Sequence, residues 1–331
     1  MTSRLWLRFD DESSACPGCE SQRIVLLDAF STPRGPAGRR VAFLSGCRGC
    51  GLLFSNPLPT PEHLERFYSG EGEWASGLAA RIGRVRARAG ATKRRKPRTA
   101  SAPRRPRQLL FDDIAAHAPL NDPPAGARAL DVGCGDGKFL DRLQDRGWET
   151  YGIEPSIDIA FVRHHRLEAL PEDAGFDFVV LHHVLEHVTD PVDLLRRVGS
   201  ATREGGRLFI SVPRLDTLPQ HRDYKYCING RNHLMCFSER CLSGLLARAG
   251  FAVTARLDSP ALDEALSDGK PLRLRLVATR TVVPPPLPSA PLDAALVALR
   301  EYARGSRIAE RVGAALPVRL RAALMDWARE R

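Results

Sequence analysis

Ala127-Arg128-Ala129-Leu130-Asp131-Val132-Gly133-Cys134-Gly135-Asp136-Gly137 decides the fold of this chain. A short apolar run ends in an acid, and glycine then occupies every second position. Lys138-Phe139-Leu140 opens a helical spacing directly afterwards. The spacing predicts a strand, a tight turn and a helix N-terminus. Glycine has no side chain, so a ligand can lie against bare backbone at such a turn. Asp131 stands at the carboxyl end of the strand, where open α/β sheets bind their ligands. The next strand, read at 149–153, ends in Glu154-Pro155-Ser156. A carboxylate there can accept hydrogen bonds from both ribose hydroxyls of a nucleoside, as in dinucleotide folds. A glycine-rich turn taken alone also fits other nucleotide sites, the NAD type included.

The run Asp131-Val132-Gly133-Cys134-Gly135-Asp136-Gly137, followed by Glu154 after the second strand, resembles the first two motifs of the class I S-adenosylmethionine (SAM)-dependent methyltransferases. The resemblance extends from about Arg128 to about Thr279. It implies an α/β fold, a Rossmann-like doubly wound sheet of seven strands with the last antiparallel, and SAM as cofactor. It also implies that Gly133, Cys134, Gly135 and Gly137 wrap the methionine end. Asp131 would help hold the amino group, partly through water, and Glu154-Pro155 would meet the ribose. In related enzymes a helix ahead of the domain lies over the cofactor; the amphipathic helix expected at 61–68 would match it, with Tyr68 and Trp74 as candidate aromatics and simple packing as their alternative role.

Strands and helices alternate outward from the motif, the pattern of a doubly wound sheet. Helices are expected at 109–118, 139–146, 191–198 and 239–249, and strands at 128–132, 149–153, 176–181 and 207–212. Segments 252–257 and 272–279 are expected to form a closing antiparallel hairpin. The stretch 157–170 departs from the family pattern, being too short for the usual helix plus third strand. Glu168 in it, or Glu172 just beyond it, is offered for an adenine contact, but neither is a clean match.

The strand at 176–181 runs into His182-His183-Val184-Leu185-Glu186-His187. Methyl transfer from a sulfonium is an in-line displacement, for which the protein mainly supplies alignment. An oxygen or nitrogen acceptor also calls for a base, and histidine suits that near neutral pH. His182, His183 and His233 are the candidate catalytic residues, with pocket-shaping as their alternative role. His183-Val184-Leu185-Glu186-His187 also spells a metalloprotease pattern, but that pattern needs one continuous helix, and Asp190-Pro191 starts a new one. Leu185-Glu186-His187-Val188 resembles a loop of ubiquinone-biosynthesis and small-RNA methyltransferases. Some of these hold a divalent ion through an earlier Glu, the Glu-His pair and a later His. Here His183 replaces the earlier Glu, and His233 is the candidate later ligand.

Cys16-Pro17-Gly18-Cys19 and Cys47-Arg48-Gly49-Cys50 form two C-x-x-C knuckles. In a chain without a visible secretion signal, such a pair reads as a metal site and not as disulfides. Cys16, Cys19, Cys47 and Cys50 outline a zinc ribbon with one structural Zn²⁺, because four thiolates leave no open coordination position.

The net charge of +10 suggests a polyanionic partner, but its distribution weakens that. Twelve Lys or Arg and no acid lie between Arg81 and Arg107; setting them aside leaves −2 for the rest. Such a run reads as a solvated linker. No apolar run is long enough for a bilayer, and the N-terminus lacks a signal-peptide core, so a cytoplasmic protein is expected. The expected organisation is a zinc ribbon at 1–60, a helix and basic linker at 61–107, the methyltransferase domain at 108–282, and a helical extension at 283–331. The expected activity is methyl transfer to a small-molecule acceptor, most readily a hydroxyl on a sugar or secondary metabolite. RNA modification, with ribbon and basic linker as the grip, is the alternative.

Overall fold

The computed structural model describes residues 15–35, 38–68, 106–155, 162–164, 174–217, 227–228, 232–267, 269 and 271–282. Trp74, the basic run up to residue 105, Glu168, Glu172, residues 218–226 and the extension from 283 onward lie outside the described residues.

Two sheets organise the described residues. The larger is built from β4 (Arg128–Val132), β5 (Glu149–Ile153), β6 (Val162–His164), β7 (Phe176–His182), β8 (Thr202–Pro213), β10 (Phe251–Arg256) and β11 (Arg273–Arg280), in the order β10-β11-β8-β7-β4-β5-β6. Neighbours from β8 through β6 pair parallel, whereas β11 runs antiparallel to both β8 and β10. The central strands read as continuous apolar runs because helices cover both faces. In β7, Phe176, Phe178, Val179, Val180 and Leu181 are all buried. The strand order reverses between β4 and β7, which opens a crevice at their carboxyl ends.

Helix starts follow local chemistry. Asp190 caps α4 (Pro191–Ala201) by accepting from the Asp193 amide at 2.9 Å, with Pro191 in the first turn. Ser238 caps α5 (Glu239–Arg248) by accepting from the Cys241 amide at 3.1 Å. Ahead of the sheet lie α1 (Pro61–Tyr68) and α2 (Pro106–Ala115), and α3 (Lys138–Gln144) follows the glycine loop. None of the described helices is long and apolar enough to cross a membrane.

The structure differs from the sequence expectation at three places. The 252–257 and 272–279 strands pair antiparallel as expected, but no element is expected in the connection between them. A helix, α6 (Pro260–Ser267), intervenes, and Arg275 of β11 reaches its Asp263 at 2.7 Å with both side chains buried. β8 begins five residues earlier than expected and carries Gly205-Gly206 inside the strand. A Cβ at Gly206 would come within 2.9 Å of the Phe176 carbonyl, so glycine is needed there for close backbone approach. The compressed 157–170 stretch still supplies a third parallel strand, because three residues, Val162–His164, suffice to pair with β5.

The smaller sheet, order β1-β2-β3-β9, contains the hairpin β1 (Ile24–Gly35) and β2 (Gly38–Cys47), then β3 (Leu53–Asn56) and β9 (Met235–Cys236). Its last strand comes from the far half of the chain. Leu53 faces Cys236 and Phe54 faces Met235 in antiparallel register. Leu52 and Phe54 share one buried cluster with Leu234, Phe237 and Leu242, so the two sheets have a continuous core.

Candidate functional site

The glycine loop leaves β4 at Val132 and enters α3 at Lys138. Gly133, Gly135 and Gly137 all take positive φ, at 75°, 56° and 69°. L-residues with a Cβ rarely adopt that region. The Gly133 and Cys134 amides donate to the Ile153 carbonyl at 2.7 and 3.1 Å, which ties the loop to the end of β5. A Cβ on Gly133 would meet Val184 at 2.7 Å, whereas a Cβ on Gly135 would point into open space. Gly135 therefore presents bare backbone to a cavity.

That cavity has a volume of about 350 Å³, in the range of small-molecule sites. Asp131, Glu154, His182, His183, His187 and His233 are among its lining residues. Asp131 and Glu154 are both buried, 5 % and 4 % exposed. Glu154 accepts from the Gly135 amide at 3.1 Å, so the carboxylate and the loop hold one another in place. Burial first, then the charges of Glu154 and Asp136, push the Asp131 carboxyl up to about 8. Two acids crowded in a buried pocket favour a ligand that brings positive charge and hydrogen-bond donors. A ligand with an ammonium and a ribose diol meets both demands. Pro155 is exposed, just beyond Glu154.

The histidine-rich loop forms the opposite wall. His183 is a non-glycine residue with φ 59°, held there as its amide donates to the Ser211 carbonyl at 2.9 Å. Backbone strain of this kind, on the order of 1–3 kcal/mol, collects at functional sites. His183 Nδ1 sits 2.7 Å from Glu186 Oε1. Glu186 is fully buried on a single 3-10 turn, Leu185–His187. Burial raises its pKa, but the pull of His183, then of His187 and His233, outweighs that and holds it at about 2. Its Oε2 has no hydrogen-bond partner among the described residues. His182 is exposed to the cavity, with its ring centroid 4.8 Å from that of His183.

His187 Nδ1 lies 2.7 Å from the Asn232 carbonyl and 2.9 Å from Tyr68 Oη. A carbonyl only accepts, so Nδ1 carries the proton and Nε2 the lone pair. Burial, partly opposed by Glu186, lowers His187 to about 4, so the ring is neutral at physiological pH. Its Nε2 faces Glu186 Oε1 at 3.8 Å, and His233 stacks edge-on at 4.8 Å. Ligand atoms of Glu186, His187 and His233 all lie within 4.8 Å of one another. A lone pair facing a buried carboxylate with an orphan oxygen is a donor set suited to a cation.

The second cluster stands apart from this cavity. The sulfurs of Cys16, Cys19, Cys47 and Cys50 lie within 4.8 Å of one another, and the Cys16–Cys50 and Cys19–Cys47 pairs are at 3.6 Å. A disulfide needs about 2.05 Å. Four thiolates about 2.3 Å from a tetrahedral ion would lie about 3.8 Å apart, which these distances approach. The Gly18 amide donates to Cys16 Sγ at 3.4 Å and the Gly49 amide to Cys47 Sγ at 3.2 Å, the support expected for thiolates.

Asp131, Gly133, Cys134, Gly135, Glu154, His182, His183 and His233 thus line one cavity, whereas Gly137 and Pro155 are not among its lining residues. Sequence reasoning missed the partners behind them. Asn232 sets the His187 tautomer, and Ser211 pins His183. Neither position carries a motif, since both act through backbone carbonyls.

Residues 101–256 match a family model described as a methyltransferase domain. Among curated relatives, a ubiquinone biosynthesis O-methyltransferase of Xanthomonas axonopodis pv. citri is 33 % identical over 128 residues, 34 % of this chain and 54 % of the relative. One of the same description from Marinobacter nauticus is 34 % identical over 106 residues, 26 % of this chain and 44 % of the relative. The chain spans about half the length of the curated relatives it matches. A solved SAM-dependent methyltransferase from Mesorhizobium loti superposes with a TM-score of 0.41 at 19 % identity, over 52 % of this chain and 98 % of the other.

Proposed function

We propose, taking residues 101–256 as a class I SAM-dependent methyltransferase domain, that this chain transfers a methyl group from SAM to a small-molecule acceptor, a hydroxyl on a sugar or other secondary metabolite. The observation that carries the reading is the pair of buried carboxylates, Asp131 and Glu154, on either side of bare backbone at Gly135 in one cavity. Bound SAM supplies an electrophilic methyl on a positively charged sulfur. Asp131 accepts from the ammonium and Glu154 from the ribose hydroxyls, with Gly133, Cys134, Gly137 and Pro155 shaping the rest of the cradle. His183 takes the acceptor's proton, oriented through its Nδ1 by Glu186. His182 and His233 line the acceptor side. The four cysteines hold one structural Zn²⁺ in a ribbon-like module, and the protein works in the cytoplasm.

A second reading of the histidine wall rests on the orphan Glu186 oxygen and the fixed His187 lone pair. Here Glu186, His187 and His233 hold a divalent cation, whose charge would favour the ionised acceptor hydroxyl. Metal analysis separates the readings: Zn²⁺ at one equivalent leaves the base as stated, and a second divalent ion favours this alternative.

The deciding experiment is transfer of a labelled methyl from SAM to cell metabolites and to RNA, side by side. Label in a small hydroxylated product supports the proposal. Label in RNA, with log affinity falling steeply against log salt, would replace it with the RNA-modifying alternative. Calorimetry in which SAM fails to bind, with wild type and Asp131→Ala alike, would remove the enzyme reading altogether.

A further inference from the structure

The four-cysteine module backs the segment that forms the acceptor side of the cavity. β3 lies six residues after Cys47 and three after Cys50, and its antiparallel partner is β9. The Ser55 amide donates to the Leu234 carbonyl at 2.8 Å. The Leu234 amide in turn donates to the Glu186 carbonyl at 2.8 Å. Segment 232–236, which carries Asn232 and His233 into the cavity, is thus clamped between the module's strand and the histidine loop. A second contact arrives through α1, which follows β3 by a few residues. Its last residue, Tyr68, places Oη 2.9 Å from His187 Nδ1. A third runs from α5, which continues from β9: Arg248 donates to the Gly18 carbonyl of the first knuckle at 2.6 Å. By contrast, the glycine loop's backbone bonds from Gly133 and Cys134 to Ile153 and from Gly137 to Cys134 stay within residues 133–153.

We infer that the module is a positioning element for the acceptor wall: closing its four thiolates on an ion sets β3, and β3 and Tyr68 set His233 and His187. The donor side, Asp131 through Glu154, packs in the same buried core but keeps its own backbone bonds. This rests on the metal reading of the cysteines, and it deepens the proposed function by assigning acceptor geometry to residues outside the methyltransferase core. Physically, a short two-residue strand such as β9 has little stability of its own, so its place depends on the partner that pairs with it. Metal-thiolate closure supplies that partner, because a knuckle's binding energy is folding energy for the strands it ties together.

Hydrogen exchange of the full chain, as purified and after stripping the ion with a mercurial plus chelator, tests this without knowing the acceptor. Stripping is expected to speed exchange at least about tenfold in residues 53–56 and 232–237, while 128–154 stays unchanged and S-adenosylhomocysteine affinity moves less than about threefold. Three results would overturn the inference: a chain purified without an ion, continued protection of 232–237 after stripping, or equal loosening of 128–154. The last would make the module a staple for the whole domain. Tyr68→Phe gives a second readout that a purely structural role would not move. It keeps the ring and removes only the hydroxyl, so it is expected to keep the ion but shift the His187 ring resonances in histidine-labelled protein. Unmoved resonances would refute the Tyr68 contact. Failure of S-adenosylhomocysteine to bind the untreated chain counts against the methyltransferase reading alone, since the exchange result stands by itself.

Discussion

His183 Nδ1 stands 2.7 Å from Glu186 Oε1 across a backbone forced into the left-handed region at His183. The strained residue is half-buried and lines the cavity, and its partner is fully buried. That asymmetry is what a positioned base requires: one ring nitrogen held by a fixed carboxylate, the other turned to the ligand. His183→Ala should lower methyl transfer by about 10²–10⁴-fold with SAM affinity preserved. Glu186→Gln should lower it by less and shift the pH dependence of turnover. Single-turnover transfer with the acceptor from the labelled-methyl screen measures both, and an undiminished rate in His183→Ala would exclude it as the base.

Asp131 gives a pH signature. Its carboxyl, at about 8 in the folded protein, lies well above the ordinary range near 3.9. Between those values the folded state binds the extra proton, so stability of the ligand-free protein falls as pH rises through that window. A cationic ligand reverses the preference by favouring the carboxylate. SAM binding at pH 7 should therefore release close to one proton and tighten as pH rises toward 8. Calorimetry in buffers of different ionisation heat counts the proton, and Asp131→Asn should abolish the release and flatten the stability slope.

Gly135 separates binding from folding. Its Cβ position is open and faces the cavity, so Gly135→Ala should cost about 1 kcal/mol of stability for the positive φ. It should weaken SAM much more, by filling the cradle. Gly133→Ala should destabilise more strongly, because its Cβ strikes Val184 at 2.7 Å. Urea melts beside SAM titrations distinguish the two, and equal effects on both quantities in Gly135→Ala would count against the cradle.

The buried pair Arg275–Asp263 predicts a strong asymmetry. Asp263→Ala leaves an uncompensated charge and should cost about 3–5 kcal/mol. The double change Arg275→Met with Asp263→Leu should recover most of that loss. Denaturant midpoints give the comparison, and additive losses in the double variant would contradict it.

Much of this was legible along the chain because the signals were local. Asp131-Val132-Gly133-Cys134-Gly135 needs nothing distant to announce a strand and a ligand turn, and the apolar run at Phe176–Leu181 marks a covered strand by itself. Asp190-Pro191 and Ser238 marked two helix starts through their own side chains. The three-residue β6 and helix α6 were not legible. A strand that short has no period to read, and α6 is held by Asp263 reaching Arg275 twelve residues on.

The sequence by itself determined the doubly wound α/β arrangement, the glycine loop with its two acids, and the four-thiol set, because turn chemistry, periodicity and C-x-x-C spacing are encoded within a few residues. Only the tertiary structure decided which histidine meets Glu186, which tautomer His187 holds, and that β3 pairs with β9 to bring the thiol module against the cavity. The last two are contacts across 45 positions (His187 to Asn232) and 183 positions (Leu53 to Cys236), carried by backbone carbonyls and amides that every residue possesses and that no residue type can signal.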